Sequence, residues 1–212
     1  MKETENCGLV YTDAFVLNQD IMFDKSYSEI VDGSCEGQVF SRLIRNNYVC
    51  TSTAMAPRKV LQEVGMFDEG LKNAEDYGLW LKISGKGYNV GFINEKLSYY
   101  RIRKGSLSDD NLKNAEYLIA LFTKLKTESE DFSEEVRALI DRKIERHMSD
   151  YHIIKTKRYI LEGRYDDASI EYGLISEKNK SNLKYRFISL LLKFNPGILK
   201  RVLEGRKNHR GV

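Results

Sequence analysis

The hydrophobic period of the sequence changes near residue 108, and this change most constrains how the chain folds. Before that point, short runs rich in Val, Tyr, Phe and Ile alternate with helical patterns. After it, the apolar residues recur at helical spacing and strand patterns stop. We therefore predict an α/β domain over residues 1–108, followed by an all-α helical domain over residues 109–212.

Four stretches in the first region predict strands, because they are rich in β-branched and aromatic residues. They are GLVYTDAFVLN (8–18), YVCTSTAMA (48–56), YNVGFIN (88–94) and KLSYYRI (96–102). Helices are predicted at QVFSRLIRNN (38–47), which places Leu43 and Ile44 on one face, and at PRKVLQEVG (57–65), which ends at Gly65.

The second region predicts a series of helices. They are NLKNAEYLIALFTKLK (111–126), FSEEVRALIDRKIERHM (132–148), YHIIKTKRYILEG (151–163), YDDASIEYGLIS (165–176) and LKYRFISLLLKF (183–194). Ser133 is a predicted N-cap. Gly163 and Arg164 are expected at the turn of a helical hairpin, with Ala168 at its close contact. This hairpin is typical of tetratricopeptide proteins and also of a simple helical appendage.

Charge and cysteine content exclude several classes of protein. The net charge of +3 is too small to indicate nucleic-acid binding, and the three distant cysteines, Cys7, Cys35 and Cys50, predict free thiols in a reducing cytoplasm. No run of about 18 apolar residues occurs, so no membrane-spanning helix is predicted, and the polar N-terminus MKETENCGLV predicts no secretory signal. Residues 193–212 carry six Lys or Arg against one Glu, a net charge of +5. Such a tail is either solvated or attracted to an anionic membrane surface.

The stretch NAEDYGLWLKISGKG (73–87) places two acids at the start of a predicted helix. Asn73 is a candidate N-cap, and acids in a first turn are favoured by the helix dipole, which accounts for Glu75 and Asp76 as capping residues. Asp76 also heads an apolar stripe with Trp80 and Ile83, at i, i+4 and i+7. A partly desolvated carboxylate at that edge is suited to act as a general base, so both interpretations stay open.

Several motifs, taken in order, resemble the second half of the catalytic domain of family 2 glycosyltransferases. They are VYTDA (10–14), STAMAPRKVLQEVGMFDE (52–69), AEDYGLWLKISGKGY (74–88) and YYRIRKGSLS (99–108). These enzymes have the GT-A fold, use nucleotide-sugar donors and invert the transferred sugar. The resemblance implies an incomplete GT-A half-domain in which Asp76 is the catalytic base and Glu75 its partner.

The same resemblance assigns the loop after the last strand to the donor diphosphate. Arg101, Arg103 and Lys104 then supply positive charge to the leaving group, and Trp80 belongs to the substrate-binding residues. Many family members have a His at the position of Arg103, which here is an arginine. The alternative is that these cations form a solvated strand end.

The donor-binding first half of the family domain, with its Asp-x-Asp metal motif, has no counterpart in this sequence. Asp13 has no acidic partner two residues away, and Asp109 and Asp110 are expected to cap a helix, so no metal ligand is assigned. A divalent cation, Mg²⁺ or Mn²⁺, is expected for the complete enzyme and none for this chain alone.

The resemblance implies a glycosyltransferase of hexosyltransferase type in cell-surface polysaccharide or lipopolysaccharide biosynthesis. Its substrates would be a nucleotide sugar and a glycan or lipid-linked acceptor, and it would be cytoplasmic and peripheral at the inner face of the membrane. The alternative is a non-catalytic remnant or an interaction module that binds a partner or a membrane surface.

Overall fold

The computed structural model describes residues 6–18, 21–103, 110–128, 131–175 and 183–209. The chain divides into two compact units. Unit 1 comprises Met1–Asp110 and Ala120–Lys143, and unit 2 comprises Asn111–Ile119 and Ile144–Val212. The division at residue 108 into two domains stays a prediction.

A three-stranded sheet forms the centre of unit 1. Its strands are β1 (Cys7–Asn18), β2 (Ile21–Met22) and β3 (Asn89–Ile102), in the order β2-β1-β3. β1 runs parallel to β3 and antiparallel to β2. Because β1 lies in the middle, its residues Leu9, Tyr11, Ala14 and Val16 are all at most 1% exposed. The predicted α/β class is therefore confirmed, with a small mixed sheet and helices after it.

β3 corrects the prediction of two separate strands at 88–94 and 96–102. The two segments form one strand, in which Thr12 pairs with Ile93 but the next residue, Asp13, pairs with Lys96. The extra residues of β3 at this point are accommodated as a β-bulge, which lets one strand continue across a shift in register. The polar residues between the two apolar runs therefore mark the bulge instead of a turn.

The predicted strand at 48–56 is wrong. Residues Thr51–Thr53 form a short 3₁₀ helix, and only Met55 pairs with β1, through two backbone hydrogen bonds with Val10 at 2.8 Å. The Thr53 hydroxyl donates to the carbonyl oxygen of Thr12 and also lies 2.8 Å from that of Cys50. A threonine side chain that bonds to nearby backbone groups in this way competes with strand pairing.

The helices of unit 1 follow the predicted pattern more closely, except for the first one, which was not predicted. They are α1 (Tyr27–Ile30), α2 (Phe40–Arg45), α3 (Arg58–Glu63), α4 (Glu75–Gly85), the second half of α5 (Asn111–Thr127) and the start of α6 (Glu134–Glu162). Leu43 and Ile44 of α2 are buried, as expected. Gly65 follows α3 with a φ of 81°, which confirms it as the terminating glycine. α4 is buried on almost all sides, because most of its residues from Tyr77 to Ser84 are inaccessible to solvent.

Unit 2 is built from helices only in the part of the chain that the structure describes. They are the first half of α5, most of α6 (Glu134–Glu162), and α7 (Tyr165–Gly173), α8 (Leu183–Phe194) and α9 (Pro196–His209). The two helices predicted at 132–148 and 151–163 are one helix, α6, because no Gly or Pro interrupts residues 148–151. The Ser133 hydroxyl accepts the amide of Val136 at the start of α6, as predicted.

The predicted hairpin between α6 and α7 is confirmed. Gly163 has a φ of 79°, and the Arg164 amide donates to the carbonyl of Tyr159 at 2.9 Å, a bond that closes the end of α6. Ala168 is fully buried in the same core cluster as Ile160 of α6. The core of unit 2 consists of Ile160, Ala168, Tyr172, Ile175, Leu192 and Leu199. Among the described helices, none combines the length and apolarity that crossing a bilayer requires.

Candidate active site

The two acids at the start of α4 have different surroundings. Asp76 is half-buried, whereas Glu75 is exposed. The Oδ1 atom of Asp76 accepts the Tyr77 amide at 2.6 Å, and its Oδ2 atom accepts the hydroxyl of Thr51. Two donors from separate segments therefore hold this carboxylate in one orientation, while it keeps access to solvent.

The N-terminus of α4 differs from the predicted one. Ala74, not Asn73, is the N-cap residue, and no side chain caps the helix there. The Asn73 side chain accepts the Ala74 amide at 2.9 Å, and Ala74 has a φ of 61°. This left-handed conformation is unfavourable for a residue with a Cβ atom, and such strain is concentrated at functional sites. The strained turn shifts the helix start by one residue and makes Asp76 its second residue.

Tyr27 and the buried Cys50 interact electrostatically with Asp76, and Tyr100 packs against Tyr27. The rings of Tyr27 and Tyr100 pack with their centroids 5.0 Å apart. Burial raises the pKa of Tyr27 far above its usual range, and the charges of Cys50, Tyr100 and Asp76 add to this effect. Burial also raises the pKa of the Cys50 thiol, to which the charges of Asp13 and Asp76 contribute. Burial therefore disfavours a negative charge on Tyr27 and on Cys50.

Asp13 anchors the segment that carries Tyr27. It is 3% exposed, and its carboxylate accepts the amides of Ala14 at 2.8 Å and Ser28 at 2.9 Å and the hydroxyl of Ser28 at 2.8 Å. Burial opposes ionisation of Asp13. The hydrogen bonds from Ser26, Ser28 and Ala14 outweigh burial and hold the pKa of this carboxyl below its usual value.

The described residues do not fit a divalent cation. Both oxygens of Asp13 already accept hydrogen bonds from N–H and O–H donors, so they are poorly placed as metal ligands. Within the described ranges, no group of three His, Cys, Asp or Glu side chains comes close enough to hold a metal ion. Of the acids considered in the sequence, Asp109 lies outside the described residues.

Trp80 lies one helical turn after Asp76 and is 4% exposed. Its indole Nε1 atom is buried and has no hydrogen-bond acceptor among the described atoms. The ring therefore contributes apolar packing to unit 1. Its role in substrate binding stays a prediction.

The predicted diphosphate-binding cations lie at the end of β3 or beyond it. Arg101 pairs with Leu17, and both Arg101 and Arg103 are exposed, whereas Lys104 lies outside the described residues. Side chains alternate along a strand, so Arg101 projects from the face of the sheet opposite to Tyr100. Tyr100, not Arg101, is the residue of this strand that packs on the Tyr27 ring near Asp76. The diphosphate role of the three cations stays a prediction.

Three residues near Asp76 were missed in the sequence: Tyr27, Thr51 and Tyr100. Ser26 and Glu29 form a capping box, in which the Ser26 amide donates to Glu29 at 2.7 Å. This Ser-x-x-Glu pattern is a known signal for a helix start and could have identified α1 and its Tyr27. Thr51 lies in a segment that resembles a strand, and no local pattern indicates its contact with α4.

Two cavities lie away from the site at Asp76. A cleft of about 950 Å³ in unit 2 is lined by residues that include Asn114, His147 and Lys157. A groove of about 510 Å³ in unit 1 is lined by residues that include Leu81 and Phe132. Neither includes a residue predicted for catalysis or substrate binding. The site at Asp76 is thus defined by a carboxylate and its hydrogen-bond donors and not by either cavity.

Comparisons with known proteins add one partial similarity. The chain is 34% identical over 79 residues to an uncharacterized glycosyltransferase of Rickettsia bellii (strain RML369-C). The match spans 37% of this chain and only 11% of that protein. No protein-family model matches the chain, and no solved structure matches it. The similarity supports a relationship to glycosyltransferases and nothing finer.

Proposed function

We propose that this chain is the acceptor-side part of a family 2 glycosyltransferase of the GT-A fold. The observation that carries the proposal is the Asp76 carboxylate, half-buried at the start of α4 and oriented by Thr51 and the Tyr77 amide. The order of the sequence motifs and the partial similarity to a glycosyltransferase support the same class.

Asp76 acts as the general base in this proposal. An acceptor hydroxyl gives its proton to Asp76 while its oxygen attacks C1 of the donor sugar from the face opposite the leaving group. The new C1–O bond forms as the bond from C1 to the diphosphate breaks, and the nucleoside diphosphate leaves with the electron pair. The configuration at C1 is inverted. A fixed carboxylate favours this step because no reorientation is needed when the hydroxyl arrives.

The aromatic rings beside Asp76 provide a surface for the acceptor. Tyr27 interacts electrostatically with Asp76 and packs on Tyr100, and aromatic side chains offer a large apolar contact area. A tyrosine hydroxyl is protonated at neutral pH, and burial raises the pKa of Tyr27 further, so its hydroxyl is a neutral hydrogen-bond partner that does not repel Asp76. Arg101, Arg103 and Lys104 are proposed to supply charge to the diphosphate.

The finer assignment follows from the sequence resemblance. It comprises hexosyl transfer from a nucleotide sugar to a glycan or lipid-linked acceptor, in cell-surface polysaccharide or lipopolysaccharide biosynthesis at the cytoplasmic face of the membrane. Because the described residues do not fit a divalent cation, we assign no step to one in this chain.

Adjacent acids allow a matched test of the base. In a protein in which this chain follows a donor-binding half, Asp76→Asn should lower the rate of nucleoside diphosphate release at least ~100-fold, the scale of general-base catalysis. Glu75→Gln changes the neighbouring, exposed acid, which the resemblance gives as the partner of the base, and it should lower the rate less than Asp76→Asn does. A loss below about threefold for Asp76→Asn would remove Asp76 from the chemistry.

A non-catalytic interaction module is the second candidate function. Along β3, Leu97 is 66% exposed, Tyr99 57% and Ile102 40%, which leaves apolar side chains available to a partner. For the chain alone we expect no detectable calorimetric binding of nucleotide sugars with Mg²⁺ or Mn²⁺. If no transfer activity is detected even after a donor-binding half is supplied, the result would favour the non-catalytic interaction module.

A further inference from the structure

A set of apolar side chains remains exposed on the helical hairpin of α8 and α9. A single residue, Asn195, separates the end of α8 from the start of α9. We define the hairpin surface as Leu190, Phe194, Ile198 and Val202, which are 54%, 71%, 42% and 47% exposed. On each helix the two residues are four positions apart and thus lie on one face. Phe194 and Ile198 flank the turn, and Leu190 and Val202 lie one helical turn behind them.

The hairpin surface is not needed for the core of unit 2. Leu192 and Leu199 already belong to that core, and Ile188, Leu191 and Leu203 pack against it. The two helices are therefore apolar on more than the side that they bury. Apolar residues left exposed in this number on one hairpin indicate an interaction surface.

The charges around the hairpin surface are mainly positive. Lys193 and Arg201 are exposed, Lys200 is half-buried, and Glu204 is the acid of this segment. The Lys193 ammonium lies 5.6 Å from the centre of the Phe194 ring. Sequence beyond the described side chains adds Arg206, Lys207 and Arg210, so residues 193–212 carry a net charge of +5.

We propose that the hairpin surface binds an anionic lipid bilayer. This deepens the membrane location included in the proposed function, and vesicle binding tests it without any transferase activity. Phe194 and Ile198 enter the boundary between headgroups and acyl chains, and Lys193 and Arg201 lie among the anionic headgroups. Helices with Phe and Leu on one face and Lys and Arg beside it bind membranes in this way. The positive charge favours an anionic bilayer over a second copy of the chain as the binding partner, because two positive surfaces repel when they face each other.

Vesicle sedimentation with the purified full chain tests the proposal. The vesicles contain phosphatidylcholine alone, or phosphatidylcholine with about one third phosphatidylglycerol. We expect at least ~10-fold tighter binding to the anionic vesicles, weakened by salt, since each basic residue near the surface contributes to the attraction. Lys193→Gln with Arg201→Gln should reduce that preference. No binding, or equal binding to both vesicles, would overturn the proposal.

A matched pair of double variants tests the apolar contacts. Phe194→Glu with Ile198→Glu should weaken binding at least ~10-fold, because two acids then face the anionic surface. Ile170→Glu with Leu174→Glu is the control. It has the same spacing and the same change in charge, at side chains that are 66% and 59% exposed elsewhere in unit 2. The affinity of the control variant for anionic vesicles should fall less than ~2-fold. An equal loss of affinity in both double variants would contradict the role of the hairpin surface.

A third measurement does not depend on how well the acidic variant folds. Phe194→Trp places a fluorophore on the hairpin surface, with the buried Trp80 as a constant background. Brominated anionic lipids should quench the emission of this variant more than that of the wild type. Equal quenching would overturn the proposal. Self-association that is abolished by Phe194→Glu with Ile198→Glu, without vesicle binding, would assign the surface to a second copy.

Discussion

The hydroxyl of Thr51 donates a hydrogen bond to the carboxylate of Asp76, 25 residues further along the chain. Thr51 begins a short 3₁₀ helix and Asp76 is the second residue of α4, so this bond joins two separate segments. It also leaves the carboxylate half-buried and oriented, which is the arrangement that a general base requires.

Thr51→Val should reduce catalysis more than stability. Valine keeps the shape of threonine but cannot donate to Asp76, so the carboxylate loses one of its two orienting bonds. In the protein completed with a donor-binding half, we expect the rate of transfer to fall ~10-fold, less than for Asp76→Asn. Ser52→Ala changes the exposed neighbour of Thr51 and is the control. Equal rates for Thr51→Val and wild type would show that the bond has no catalytic role.

Asp13→Asn should destabilise unit 1 in a way that depends on pH. The lowered pKa means that the unfolded chain takes up the proton at higher pH than the folded chain. The contribution of Asp13 is therefore complete above its unfolded pKa of about 3.9 and is lost as the pH falls through the lower folded value.

Urea unfolding at several pH values measures this effect. At neutral pH we expect Asp13→Asn to cost ~1–3 kcal/mol, since buried donors lose a charged acceptor. The difference from the wild type should shrink as the pH falls below about 4. Asp24→Asn, at an exposed position of the same unit, should change little at any pH. A cost for Asp13→Asn that stays constant down to low pH would contradict the lowered pKa.

Glu171 should be a major contributor to the stability of unit 2. It is 8% exposed and pairs with Lys155 and with the Nδ1 atom of His152 at 2.7 Å. Burial disfavours the charged carboxylate, but these partners hold its pKa below the usual value. Glu171→Gln leaves Lys155 without its charged acceptor, and we expect a loss of ~1–3 kcal/mol in hydrogen-exchange protection of α6 and α7.

Glu162 provides the control for this cluster. Its side chain is 39% exposed and pairs with Arg158 at 3.0 Å, four residues earlier in α6. Exposed pairs of this kind contribute little because water screens them, so Glu162→Gln should cost under ~0.5 kcal/mol. Similar losses for the two variants would show that burial does not strengthen the Glu171 cluster.

Gly8 in β1 should not tolerate a side chain. A Cβ atom there would lie 2.5 Å from the Cβ of Tyr88 and 2.9 Å from the Cγ2 of Ile83. Gly8→Ala therefore forces the strand or its neighbours to move and should cost ~1–3 kcal/mol in unfolding free energy. Gly205→Ala in α9 meets nothing within 4 Å and should instead stabilise that helix by ~1 kcal/mol. Thermal unfolding of both variants would show opposite shifts; a neutral Gly8→Ala would contradict the packing at this position.

Much of the secondary structure was predictable from local patterns. β1, α2 and α5 occur where apolar spacing predicted them, α8 has the predicted bounds, and Gly65 and Gly163 end helices as expected. Apolar spacing and turn residues are sufficient to predict these elements, because the order of apolar and polar residues within each element shows which of its faces is buried. Asp76 was recognised as a candidate for the same reason, since its position relative to Trp80 is a property of one helix.

The surroundings of Asp76 depended on contacts between distant segments. Local composition indicated a strand at 48–56, but hydrogen bonds of Thr53 to the backbone of β1 make this segment a turn, which brings Thr51 to Asp76. The packing of Tyr27 on Tyr100 also involves separate elements. The sequence alone determined which helix carries the carboxylate, because helical periodicity is local. Only the tertiary structure decided that Thr51 also orients that carboxylate, because Thr51 lies 25 residues earlier in the chain.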